Sequence, residues 1–240
     1  MKKNKVFSLI DKAVFDFSLL EDGDRILIGA SGGKDSTILA EYLSQRQKQK
    51  RENFSLAALH IGTDISPPLS EEIKALYKDW GIALHIQEFS VLDRVREGKK
   101  MNCWWCSTQR RTALNNFALE GSFNKIALGH HLDDVLETLL MNAVNKAELS
   151  TMIPKLPYEK YPVTIIRPLY YVDEKSIILR AKKEGFASFT CSCDYQAFSE
   201  RKNMREKLRV LTDGSFDAKM RLLSSLQNIK ADYLPQKTKV

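Results

Sequence analysis

No stretch of the 240 residues stays apolar for the ~18 positions that a bilayer-crossing helix needs. The basic start, Met1-Lys2-Lys3-Asn4-Lys5, is followed by Asp11, Asp16, Glu21 and Asp22, and lacks the apolar core and small-residue cleavage site of a secretory leader. The expectation is a cytoplasmic protein with no membrane contact. There is no linker rich in proline, glycine or serine, and no internal repeat, so nothing in the composition divides the chain sharply. Cysteine is confined to two tight pairs, Cys103/Cys106 and Cys191/Cys193. In a cytosolic chain that pattern argues against structural disulfides and leaves metal binding, redox chemistry or small buried side chains. Two phosphate-binding patterns are also missing: the longer loop ending in Gly-Lys-Ser/Thr and the Gly-x-Gly-x-x-Gly dinucleotide loop.

What is present is a mixed composition, 43% hydrophobic and 28% charged, that suits a globular domain rather than a disordered or fibrous chain. The net charge of +7 and a pI near 9.1 fit a polyanionic partner such as RNA, and equally an ordinary basic surface. Apolar runs at 25–30, 54–61, 82–89, 125–129 and 163–169 read as buried strands. Segments with helical periodicity lie at 5–20, 35–47, 69–80, 109–120, 132–145 and 174–185. Strands alternating with helices predict a doubly wound parallel α/β sheet covered on both faces. The division expected is an N-terminal helix over 1–20, an α/β domain over 21–195 and a basic helical extension over 196–240. In the extension Arg201, Lys202, Arg205, Lys207, Arg209, Lys219 and Arg221 are diluted by acids.

Parallel sheets bind ligands beyond the carboxyl ends of their strands, and the informative residues follow strands. Strand one runs through Gly29 into Ser31-Gly32-Gly33-Lys34-Asp35-Ser36, and a helix follows. Two glycines let successive N–H groups turn toward one anion, and the helix start adds partial positive charge. Ser31 and Ser36 offer hydroxyls, Lys34 a full charge, and Asp35 suits a helix start or a metal ion. After strand four comes Gly129-His130-His131-Leu132-Asp133-Asp134-Val135-Leu136-Glu137-Thr138. Asp134 and Glu137 are three apart and share a helix face; such acids can hold Mg2+ beside phosphate oxygens, or simply suit a helix N-terminus. The histidine pair admits zinc binding, nucleotide contacts or backbone contacts. The cysteine pairs admit a four-thiolate zinc site, a redox dithiol or an iron–sulfur cluster. Trp104 and Trp105 could shield such a centre, stack on a base or pack in the core.

The hexapeptide Ser31–Ser36 resembles the PP-loop of the N-type ATP pyrophosphatases. Within that superfamily Gly-His-His-x-Asp-Asp-x-x-Glu-Thr is similar to a branch holding the tRNA 2-thiocytidine, archaeal-type 2-thiouridine and lysidine synthetases. The likeness narrows to the tRNA 2-thiocytidine synthetase family through Cys103-x-x-Cys106 with Arg110-Arg111 after it, Lys125–Asp134, Ile166-Arg167-Pro168-Leu169 and a last cysteine pair. It covers roughly residues 5–210. The resemblance implies ATP with Mg2+ at Gly29, Ser31–Ser36, Ile61, Gly129 and Asp134, with Lys34, Arg111 and Asp134 serving the chemistry. It implies a [4Fe-4S] cluster on Cys103, Cys106 and Cys193, with Cys191 the alternative because this chain has Cys-x-Cys where the family has Cys-x-x-Cys. It implies tRNA as substrate, a pyrimidine C2 oxygen as the atom replaced, cytidine in the anticodon loop as first choice, and sulfur from a cysteine desulfurase or free sulfide. A homodimer is compatible with it. The rival readings are a lysidine-synthetase-type ligase and a non-catalytic zinc- or RNA-binding relative.

Overall fold

A computed structural model describes residues 4–91, 93, 103–186 and 200–235. The chain forms two compact units, one built from residues 1–132 and 153–199 and the other from 133–152 and 200–240.

The first unit holds a six-stranded sheet in the order β3-β2-β1-β4-β6-β5. Its strands are β1 (Arg25–Gly29), β2 (Ser55–Thr63), β3 (Ala83–Phe89), β4 (Lys125–Ala127), β5 (Lys155–Pro157) and β6 (Thr164–Ile166). All pairings are parallel except β5 with β6. Ile26, Leu27 and Ile28 are wholly buried, as expected of a central parallel strand covered on both faces. Leu27, Ala57, Leu59 and Ile61 pack with Leu114 and Ala118 of α4 (Cys103–Glu120), which fixes the odd-numbered side chains of β2 toward that helix. Consecutive strands β1 and β2 lie on one side, whereas β4 lies on the other side of β1. The switch point of the sheet is therefore at the carboxyl ends of β1 and β4, where such folds open a ligand crevice.

Local chemistry explains most element ends. Asn4 caps α1 (Lys5–Asp16) through the Val6 amide, at 3.2 Å. The helix stops at Asp16 rather than running to 20; Ser18 takes φ 46°, and Leu19 and Leu20 are buried from the loop that follows. Ser70 caps α3 (Glu71–Trp80), and Gly81 closes it at φ 75°, as its sequence predicts. The run read as strand five is strand only over 164–166, because Pro168 has no N–H to give a ladder and instead begins a 3-10 turn over 168–171. The segment Glu21–Asp24 has a structural purpose. Lys125, 3% exposed, places its ammonium 2.7 Å from Asp24, 3.2 Å from Glu21 and 3.1 Å from the Leu19 carbonyl. That buried cation ties the approach to β1 onto β4.

The second unit comprises most of α5 (Leu132–Lys146), α7 (Glu200–Thr212) and α8 (Phe216–Ser225). Met204, Leu208 and Leu223 are its buried apolar residues on the last two helices. Two ion pairs join it: Lys219 to Asp133 at 2.6 Å, both side chains 9% exposed, and Arg205 to the fully buried Glu137 at 2.7 Å.

Candidate active site

The phosphate loop is folded by its own side chains. Gly32 adopts φ 81°, a conformation that favours glycine, and a Cβ there would stand 3.0 Å from Leu69. Ser31 Oγ accepts the Gly33 amide at 3.3 Å and lies 3.0 Å from Ser36 Oγ. Ser36 and Thr37 both donate their hydroxyls to the Gly33 carbonyl at 3.0 Å. Helix α2 (Lys34–Lys48) then starts with Gly33 at its N-cap and no side-chain cap. The first amides of a helix have no partner within it, and Gly33 supplies no side-chain cap. The arrangement is one that receives phosphate oxygens.

Gly129 is brought to this loop by the switch in strand order. A Cβ at Gly129 would stand 3.0 Å from the Ser36 amide nitrogen and 3.1 Å from the Asp35 carbonyl carbon. A side chain there would have to push back the backbone of the first turn of α2, so glycine suits this close approach. Gly29 serves packing as well: a Cβ there would stand 2.9 Å from Leu128.

Lys34 lies between two carboxylates, 3.4 Å from Asp35 and 3.3 Å from Glu174, the first residue of α6 (Glu174–Lys183). Under the loop sits His60, 4% exposed. Its Nδ1 donates to the Ala30 carbonyl at 2.8 Å, and its Nε2 has no hydrogen-bond partner among the described residues. Burial lowers its pKa, partly opposed by the Ala30 bond. Neither His60 nor Glu174 stood out in the sequence. The only available signals were a histidine inside an apolar strand and an acid opening the helix after Arg167-Pro168-Leu169.

The remaining expected residues fall into separate places. The Ile61 side chain is in the core under α4, and its carbonyl accepts from Arg110 at 3.0 Å. Arg110 is thereby engaged at the end of β2. Arg111 is exposed, and its charge acts on buried Arg167, whose pKa is lowered mainly by burial and further by Arg111. Just past Ile61 a cavity of about 460 Å³ opens at the ends of β2 and β3, lined by Gly62, Thr63, Glu88 and Phe89 among others, within the size range of ligand pockets. Asp134 is half-buried in the first turn of α5, where its carbonyl accepts from Thr138 at 2.8 Å.

The structure corrects the setting of the first cysteine pair. The residue pattern predicts a helix over 109–120, with the cysteines ahead of it. Instead Cys103 is the first residue of α4 and Cys106 lies one turn on, half-buried. Cys191 and Cys193 lie outside the described residues. Positions 103 and 106 are one helical turn apart at the start of this helix, a spacing compatible with two cysteines serving one thiolate-bound centre. Among the described residues no three His, Cys, Asp or Glu side chains gather closely enough to hold a metal ion.

Comparison with known proteins agrees with this geometry. The PP-loop domain family matches residues 3–211. The tRNA-cytidine(32) 2-sulfurtransferase of Geobacter metallireducens is 34% identical over 235 residues, covering 96% of this chain and 91% of that protein. The enzyme of the same name from Nitrosospira multiformis is 36% identical, covering 94% of this chain and 77% of its own length. Among solved structures, the U34-tRNA thiolase NcsA from Methanococcus maripaludis with its [4Fe-4S] cluster superposes with a TM-score of 0.77 at 23% identity, covering 98% of this chain and 82% of that one, a likeness of fold. The loop after β1, the glycine after β4 and these relatives together place the chain in the PP-loop superfamily, as a member of the tRNA 2-thiocytidine synthetase family.

Proposed function

We propose that this protein is an ATP-dependent, iron–sulfur-dependent tRNA sulfurtransferase that exchanges the C2 oxygen of a pyrimidine, cytidine in the anticodon loop, for sulfur. The single observation that carries the reading is the close approach of Gly129 to the uncapped first turn of α2. It sets the glycine that opens the second family motif against the end of the first, at the switch point of the sheet.

In this reading the triphosphate lies on the loop Ser31–Ser36, against the amides of α2. The adenine takes the cavity past Ile61, whose Asp64 and Glu88 carboxylates disfavour phosphate there. The pyrimidine C2 oxygen attacks the α-phosphorus, the bond to the β-phosphate oxygen breaks and pyrophosphate leaves. C2 then carries an AMP leaving group. Hydrosulfide adds at C2, and AMP departs with the original oxygen, so no electrons change hands. Lys34 and Arg111 offset the charge that develops on the phosphates. Asp134 holds Mg2+ against the phosphates or takes the proton released. Cys103, Cys106 and Cys193 would hold a [4Fe-4S] cluster, which when bound supplies an iron coordination position for sulfide.

The RNA face follows from charge. Lys202, Lys207 and Arg221 are exposed on α7 and α8, whereas Lys219 and Arg205 are directed to acids of α5. Phosphate contacts by the exposed residues predict binding that weakens steeply with salt. A cytoplasmic setting suits such a substrate, and no described helix is long and apolar enough to cross a membrane.

The test is mass spectrometry of tRNA nucleosides from cells with and without the gene, complemented by wild type or Cys106→Ser. The expected result is a thiolated cytidine that disappears with the gene and returns only with wild type. An unchanged nucleoside profile would contradict the assignment. Full rescue by Cys106→Ser would favour the lysidine-synthetase-type reaction, which needs no cluster.

A further inference from the structure

Helices α2 and α6 are joined by two ionic rungs. The deeper one pairs Glu41 with Arg180, the side chains 8% and 10% exposed, with Arg180 Nε donating to Glu41 at 3.0 Å. Arg180 also lies over the Phe7 ring at 4.3 Å, so that α1 packs on the same rung. The outer rung is Lys34 with Glu174, 19% and 24% exposed and 3.3 Å apart. The outer rung differs in what it touches. Lys34 is the cation of the phosphate loop, and Glu174 comes from a helix that follows a different strand, 140 positions later.

This difference has a chemical consequence. The inner rung and its aromatic cover already fix α6 on α2, so the outer rung is not needed to dock the helices. Glu174 sits in the first turn of α6, where the helix dipole favours the ionised carboxylate. A triphosphate arriving on the loop competes with it for one ammonium. A pyrophosphate leaving the loop vacates an ammonium that a nearby carboxylate can take.

We propose that Glu174 is a placeholder for the nucleotide's phosphates, a positioning residue that acts through Lys34. It holds the ammonium before ATP binds, yields it to the phosphates and reclaims it as pyrophosphate leaves. The inference rests on reading Ser31–Ser36 as the ATP site. Its cost is some ATP affinity; its gain is faster release of the first product.

The experiment is calorimetric titration of the purified full-length protein with Mg-pyrophosphate and with Mg-ATP in the absence of RNA, on wild type, Glu174→Gln, Lys34→Ala and the double variant. Glu174→Gln is expected to tighten pyrophosphate binding about three- to tenfold, the size of a partly buried ion pair released. It also makes pyrophosphate a stronger product inhibitor, with kcat lowered more than KM for ATP. In the Lys34→Ala background the same substitution changes affinity by less than about twofold, which separates action through Lys34 from a general loss of negative charge. Glu174→Asp, too short to reach, lies between wild type and Gln; it carries the test if Gln fails to fold. Binding unchanged or weakened in a folded Glu174→Gln protein overturns the proposal, and so does an equal gain with Lys34 absent. Failure of wild type to bind ATP or pyrophosphate instead removes the reading of the loop itself.

Discussion

The turns after β1 and after β4 look alike in sequence. Each leaves a strand through glycine, passes a short loop and starts a helix with acid in its first turn, Asp35 in one and Asp133 with Asp134 in the other. The structure gives them different work. After β1 the hydroxyls of Ser36 and Thr37 donate to the Gly33 carbonyl while Ser31 Oγ accepts the Gly33 amide, and the start of α2 has no capping side chain. After β4 two of the three acids are tied into the protein: Asp133 to Lys219 and Glu137 to Arg205. Asp134, between them, is half-buried, and its main-chain carbonyl accepts from the Thr138 hydroxyl. Two of the acids at this helix start are thus anchors, and sequence spacing does not single them out.

Breaking that comparison gives graded expectations. The largest effect belongs to the proposed reagent. Asp134→Asn, which keeps the size of the side chain, should lower pyrophosphate release by about 10²–10⁴-fold, the usual worth of a group that moves a proton or holds catalytic charge, and should cost less stability than removal of Asp133. Steady-state kinetics and urea melts measure the two sides. Gly129→Ala should cost about 10–100-fold in pyrophosphate release, because the added methyl must displace backbone at the start of α2 and small misplacements there are expensive.

The neighbouring anchor should invert the pattern. Asp133→Ala strands the Lys219 ammonium in a buried position and should cost about 3–5 kcal/mol of stability. ATP affinity of the protein that remains folded should change by less than about twofold. An Asp133 variant that is stable but inactive would mean that the roles of the two aspartates are reversed.

The smallest effect concerns the floor of the phosphate loop. Burial holds the His60 pKa below its ordinary value of about 6.5. The unfolded chain therefore binds more protons than the folded one as pH falls below about 6.5. The stability held by neutral His60 is complete above that pH and is lost as pH drops toward the lowered value. His60→Asn keeps a donor for the Ala30 carbonyl and should flatten this acid limb without changing stability at pH 8. Denaturation midpoints across pH 5–8 test it (a range set by the titration of imidazole).

How much of this was legible in the sequence follows from how local each feature is. Strand β1, the loop and α2 were readable because an anion cradle needs its residue types contiguous and in order. Gly129 was readable as a motif, although its steric reason lies in the contact with Ser36. Strand β5 was not, since Lys155-Leu156-Pro157 is three residues with no alternation and a proline at the edge. The start of α4 was missed because Cys103 to Thr108 contains only middling helix formers. The partners of Asp133 and Lys34 lie 86 and 140 positions away, so no local pattern could report them. The basic C-terminal helices show the same limit: two residues that read as RNA contacts are turned to acids of α5.

The most direct measurement is the identity of the nucleotide products. Purified protein, reconstituted with iron and sulfide under anaerobic conditions, is incubated with tRNA, sulfide and ATP labelled at the α-phosphate, and the products are separated. AMP and pyrophosphate in equal amounts, dependent on tRNA and abolished by Gly129→Val, is the predicted result. ADP with inorganic phosphate, or no nucleotide turnover by a protein that carries its cluster and binds tRNA, would contradict the claim that this loop directs cleavage at the α-phosphorus.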